Sequence, residues 1–150
     1  MLLKRSLDNG ATWEETQLVV DNGRDVAGNP APVVDRETGT IHLLFCKNLA
    51  EGDETEICKG NAPRTVWITS SEDDGQTWSE PREITDQVKK SNWTWYATGP
   101  CHGIQLNKGR IVIPCDHIVG KNFKRGEDPY RSHVIYSDDH GQNWEIGGIV

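Results

Sequence analysis

Apolar and polar positions alternate in short runs along the whole chain, and no stretch keeps a helical apolar spacing. Strand-like runs fall at 16–20, 31–34, 40–45, 65–69, 83–85, 103–106, 111–114, 132–136 and 145–150. Residues 1–5 read as the end of one more strand. Turn formers separate them: Asp35-Arg36-Glu37-Thr38-Gly39 and Asn107-Lys108-Gly109 each close a tight hairpin. Residues 47–63 and 116–130 read as longer polar loops. The order strand, tight turn, strand, long loop, strand, short turn, strand therefore occurs twice, behind a partial copy.

The short turn recurs almost unchanged. Ser6-Leu7-Asp8-Asn9-Gly10-Ala11-Thr12-Trp13, Ser71-Glu72-Asp73-Asp74-Gly75-Gln76-Thr77-Trp78 and Ser137-Asp138-Asp139-His140-Gly141-Gln142-Asn143-Trp144 share one pattern, with serines 65 and 66 residues apart. The pairs Pro30/Pro100 and Gly39/Gly109 are each 70 residues apart. A fixed period of this length marks a repeat architecture. Radially repeated four-stranded antiparallel sheets are the blades of a β-propeller. The expected division is 1–20 as the end of one blade, 21–85 as a second and 86–150 as a third.

The motif is chemically self-sufficient. Ser6, Ser71 and Ser137, with Asp8, Asp73 and Asp139, can accept hydrogen bonds from turn N–H groups. Gly10, Gly75 and Gly141 can take positive φ. Trp13, Trp78 and Trp144 can bury large rings. Catalytic or calcium-binding aspartates are the competing reading, but a turn staple needs one copy per blade and one active centre does not need three. In each blade the short turns then share one face. The connections at 21–29, 46–63, 86–99 and 115–131 share the other, where function concentrates.

Composition supports an all-β chain with polar turns: 35% apolar residues, 15 Gly and 7 Pro in 150 residues, with a mean hydropathy of −0.65. A net charge of −7, with no basic run longer than a dipeptide, argues against nucleic acid and anionic membranes as partners. No apolar run approaches the roughly 20 residues of a membrane span, and Met1-Leu2-Leu3 runs straight into Lys4-Arg5 without a signal-peptide pattern. Cys46, Cys58, Cys101 and Cys115 contain no Cys-x-x-Cys pair, so no zinc site is expected. They read as free thiols, with a Cys101–Cys115 hairpin disulfide left open. No metal or cofactor is expected. Asn92-Trp93-Thr94 is a glycosylation sequon of a kind common by accident.

The turns resemble the Asp-box, or neuraminidase, repeat of the sialidase family. So do Asn29-Pro30-Ala31-Pro32-Val33-Val34-Asp35 and the strand after it, Tyr96-Ala97-Thr98-Gly99-Pro100-Cys101-His102-Gly103, and Ile111-Val112-Ile113-Pro114. The likeness runs along essentially the whole chain. It implies a six-bladed propeller, of which about two and a half blades are present. It also implies an exo-α-sialidase that removes terminal sialic acid from glycoproteins, gangliosides or oligosaccharides. The implied mechanism is retaining, with a tyrosine nucleophile, an acid/base aspartate and an arginine triad that clamps the sugar carboxylate. In the family those groups precede the first box or follow the third. None of Arg5, Arg24, Arg82, Arg110 or Arg131 stands in a matching context, so the chain reads as an internal fragment, inactive by itself.

By resemblance Asn29 matches a pocket asparagine, against a plain turn role before Pro30. Glu54 or Glu56 is the candidate for a pocket glutamate, against a solvated acidic loop. Asp116 and His117 stand where relatives place tyrosines. Tyr96, with Trp93 and Trp95, could stack on a sugar or pack the crossover, and His42, His102, His133 and His140 read as structural or exposed. The runner-up reading is a non-catalytic Asp-box propeller that binds or scaffolds; another Asp-box glycosidase, such as a glucan hydrolase, is a third.

Overall fold

A computed structural model describes every residue except Pro100, Asn122 and Arg125. The expected Pro30/Pro100 equivalence and two positions of the 116–130 loop lie outside the described residues. The strands form three antiparallel sheets that do not close into a barrel. The first is the pair β1 (Leu2–Leu3) and β2 (Gln17–Leu18). The second is the meander β3 (Val26–Val34), β4 (Ile41–Asn48), β5 (Arg64–Ser71) and β6 (Arg82–Glu83), with a short helix α1 (Glu54–Cys58) between β4 and β5. After α2 (Thr85–Val88) comes the third: β7 (Trp93–Thr98), β8 (Ile104–Gln105), β9 (Ile111–Val119), β10 (Arg131–Ser137) and β11 (Glu145–Ile149). Among the described residues no helix is long and apolar enough to cross a membrane.

Two expectations change. Residues 93–98 form strand β7, paired Trp93↔Val119 and Thr98↔Cys115, rather than a crossover. The ladder then breaks and resumes only at Ile104↔Val112. Gly99 and Cys101, with φ of 84° and 77°, carry the chain out of register between them. The second sheet has a milder version of this break, a register shift between Gly28 and Ala31 at which Asn29 takes φ 55°. The helices are the other change. At five and four residues each, neither is long enough to show a 3.6-residue period; α1 is instead set by its N-cap, where Asp53 accepts from the Glu56 N–H at 2.9 Å.

The core lies between sheets. Ala31, Val33, Leu44, Cys46, Val66 and Ile68 of the second sheet meet Tyr96, Ile111, Ile113, Cys115 and Ile135 of the third. Strand β4 is buried on both faces, because Leu43 and Phe45 point the other way, onto a smaller cluster with Val20 and the first pair. That explains why its sequence reads as a continuous apolar run rather than an alternation. Strand β9 alternates from Ile111 to Asp116, with Ile111, Ile113 and Cys115 buried and Val112, Pro114 and Asp116 only partly covered.

The three Asp-box turns superpose bond for bond. In each, the Ser hydroxyl donates to the Asp Oδ1 at 2.8 Å and accepts from the Gly N–H at 2.7–2.9 Å. The same carboxylate takes the backbone N–H of Thr12, Thr77 or Asn143 at 2.8–2.9 Å and that residue's side chain at 2.6–2.7 Å. These bonds hold Asp8 and Asp73 at a pKa of about 2; at Asp139, burial pushes the carboxyl up, but the same bonds together leave it lowered. Left-handed backbone falls on two residues per box, the glycine and the Asn9, Asp74 or His140 before it.

The second and third boxes are each clamped by the sheet before them. Gln17 of β2 donates to the Gln76 carbonyl at 2.7 Å, and Arg82, 65 positions on, donates to the Gln142 carbonyl at 2.9 Å. The box tryptophans follow the same direction. Trp144 is 2% exposed and shares a cluster with Ile84 at the end of the preceding repeat and with Val88 of α2, while its backbone N–H bonds Gln87 at 2.9 Å. Trp78 is half-buried against Val20, and Trp13, with no sheet before it here, is 60% exposed. Cys46, Cys58 and Cys115 are buried and Cys101 is exposed, and the Cys101–Cys115 hairpin disulfide is not formed.

Candidate functional site

Register puts one end of every strand on the side of the long connections. Asn48 pairs with Arg64 there, Arg131 with His117, and Trp93 with Val119. Arg64 opens β5 and is 5% exposed. Its Nε donates to the Tyr96 carbonyl, its Nη1 to Asn48 Oδ1 and its Nη2 to Asn29 Oδ1, each at 2.5 Å. The Trp95 ring covers the guanidinium at 4.2 Å, and Trp95 Nε1 donates to Asp116 Oδ1 at 3.0 Å. Asn29, Asn48, Arg64, Trp95 and Asp116 thus form one connected group drawn from both large sheets.

The group is electropositive at its base. Lys89 is half-buried and donates to two carbonyls, those of Arg64 at 2.7 Å and Thr94 at 2.9 Å. Burial brings its pKa down to about 8. Burial also raises the Asp116 carboxyl above its ordinary value, against the Trp95 hydrogen bond. Glu54, exposed at the start of α1, accepts from the Tyr130 hydroxyl at 2.5 Å. Burial, and then that same bond, raise the Tyr130 pKa. A phenol held this way is no ready nucleophile.

The remaining expected contacts lie elsewhere. Tyr96 is 0% and His117 1% exposed, so both are interior groups, not surface ones. His117 stacks on Trp93 at 3.6 Å between ring centres, and its Nδ1 lies 3.0 Å from His133 Nδ1. His133 Nε2 meets the Tyr96 hydroxyl at 3.2 Å. Burial lowers the His117 pKa to about 4 and that of His133 to about 3, so the pair is neutral near pH 7. Tyr96, expected as a sugar contact, is buried with Trp93 among packed rings, because register turns both onto the core; Trp95 lies at the rim over Arg64. Asn29, Glu54 and Asp116 are at the surface end. The sequence pattern does not mark Arg64; its one signal is that it is the lone charge in β5.

A polar cleft of about 710 Å³ opens at the opposite end beside Thr38, His42, Arg82, His140 and Gln142. Small polar turns line it. Among the described residues no group of three or more His, Cys, Asp or Glu side chains converges as a metal site would require.

A family model described as BNR repeat-like domain matches residues 1–150. The chain belongs to this BNR-repeat family. Its relatives include Sialidase-4 of Mus musculus, 37% identical over 81% of this chain and 27% of that protein. An exo-alpha-sialidase of Aspergillus fumigatus is 36% identical over 80% of this chain and 32% of that one. Among solved structures, the Hadza microbial sialidase Hz136 aligns with a TM-score of 0.84 and 29% identity, covering 98% of this chain and 30% of that chain. The BNR-repeat chain thus spans about a third of the length of the curated relatives it matches.

Proposed function

We propose that this chain is the sugar-facing part of an exo-α-sialidase. Residues 1–20 are the end of one blade, and 21–85 and 86–150 are two further blades, of a six-bladed propeller. The whole protein would hydrolyse terminal sialic acid from glycoproteins, gangliosides or oligosaccharides with retention. Its tyrosine nucleophile, acid/base aspartate and arginine triad would lie outside this segment. The observation that carries the reading is the identity of 36–37% to sialidases over four-fifths of the chain.

The site supports it chemically. Arg64 and Lys89 give the loop end a positive base, suited to an anionic sugar. Asn29, Glu54 and Asp116 offer polar contacts to hydroxyl or acetamido groups, and Trp95 offers an aromatic face. None of the described groups there is an activated nucleophile, so residues 1–150 alone are expected to be inert. The test is release of a fluorogenic phenol from its sialoside. Turnover by the intact protein, with none by 1–150 above a heat-killed control, is the expected result. Turnover by 1–150 would overturn the placement of the catalytic groups. An intact protein that binds sialyl glycans without cleaving them would instead be the scaffold of the alternative reading.

A further inference from the structure

The Asn29 amide has a polarity that its surroundings dictate. An arginine carries N–H donors and no acceptor. Arg64 Nη2 at 2.5 Å must therefore face the Asn29 oxygen, not its NH2 group. The same holds for Asn48, whose NH2 group is then used up on the Leu49 and Gly52 carbonyls at 3.0 and 3.2 Å. Asn29 differs: its residue is exposed, and among the described residues its NH2 group has no hydrogen-bond partner. The backbone is held as firmly as the side chain. Asn29 sits at the register shift of β3 with φ 55°, and the Thr98 hydroxyl donates to its carbonyl at 2.5 Å from the neighbouring sheet.

Among the described residues Arg64 has no carboxylate partner at hydrogen-bond distance, although it is almost fully buried. Burying a guanidinium on neutral acceptors is costly. A residue needed only to fill the space under Trp95 would not be charged. The fork geometry, with one planar group taking two side-chain oxygens and a carbonyl, is what arginine does and lysine does not.

We propose that Arg64 is a positioning residue for the sugar site: it fixes the side-chain oxygens of Asn29 and Asn48 and so aims the Asn29 NH2 group outward as a donor to an acceptor oxygen of sialic acid. The proposal rests on the sialidase reading. It is tested in the intact protein with the same fluorogenic sialoside, reading kcat, KM and Tm together. Asn29→Asp is the decisive variant. Its carboxylate keeps the bond to Arg64, now as an ion pair, so Tm stays level or rises, but it has no N–H to give. KM is expected to rise about tenfold, the worth of one lost hydrogen bond, with a much smaller change in kcat. Arg64→Lys keeps the charge and loses the fork; it should show the same rise in KM. Wild-type KM in either Asn29→Asp or Arg64→Lys overturns the positioning role while the sialidase reading stands. No hydrolysis by the wild-type protein overturns the reading itself, and the proposal with it.

Discussion

Asp35 and His140 lie 105 residues apart in sequence and 2.7 Å apart in space, Oδ2 to Nδ1. Asp35 is 0% exposed and also takes the Glu37 N–H, the Thr38 hydroxyl and the Gln105 amide, at 3.0, 2.9 and 2.7 Å. One carboxylate in the first hairpin turn of the second sheet thereby organises its own turn, the matching turn of the third sheet and the third box.

Replacing Asp35 with Ala leaves those donors without their acceptor in a buried place. The expected cost is about 1–3 kcal/mol in urea unfolding. His140→Ala should cost clearly less, since that imidazole is half in water.

The same pair gives stability a pH dependence of definite sign. The Asp35 hydrogen bond and charge raise the His140 pKa. A raised base contributes below its ordinary value of 6.5 and loses the contribution as pH climbs through the raised one. Tm should therefore sag above neutrality in the wild type, and His140→Asn should flatten that sag.

The buried pair His117 and His133 acts in the opposite direction. Their folded values of about 4 and about 3 lie below the ordinary 6.5, so between these limits the unfolded chain binds more protons. Their neutral forms favour folding fully above 6.5, and this is lost as pH falls towards 4. Doubly protonated, the two rings would set N–H against N–H at 3.0 Å. A melting series from pH 7 to pH 4 should fall in the wild type. Replacing both histidines with Phe should remove most of that slope, whatever it does to the absolute Tm.

Two equivalent glycines should behave unequally. Gly10 and Gly141 both have positive φ, 88° and 79°. A Cβ at Gly10 would meet nothing closer than 4.0 Å, whereas at Gly141 it would fall 2.7 Å from the His42 ring. Gly10→Ala should cost about 1 kcal/mol of backbone strain. Gly141→Ala should cost more, because a buried ring that bonds Ser70 at 2.8 Å must also move. Denaturant midpoints of the two variants provide the comparison.

Much of this architecture is legible in residue order. The serine spacing announces the repeat, and each motif position does in the turn what its chemistry suggests, down to the carboxylate that takes a backbone and a side-chain donor together. What escapes is set by contacts between repeats. Residues 93–98 look like a connection because the strand they form is interrupted before the hairpin, and single-sequence pattern does not see which break is bridged. Tyr96 and His117 are polar-tipped residues near a functional end, yet register turns them onto the core. Arg64 shows the converse: its surroundings come from Asn29, Asn48, Trp95 and Tyr96, residues up to 35 positions away. The surface positions Asn29, Glu54 and Asp116 were easier to place, because the ends of long connections gather on one side.

The backward-facing box tryptophan carries a consequence for synthesis. As a ribosome releases the chain, the second sheet emerges whole by Glu83, but the ring that covers its flank belongs to position 144. The first and second sheets are thus each sealed by a residue made some sixty positions later, Trp78 and Trp144. Nascent chains stopped just before and just after Trp144 should differ sharply in protease resistance of the second sheet. Assembly then runs as a zipper, each tooth locked only by the arrival of the next.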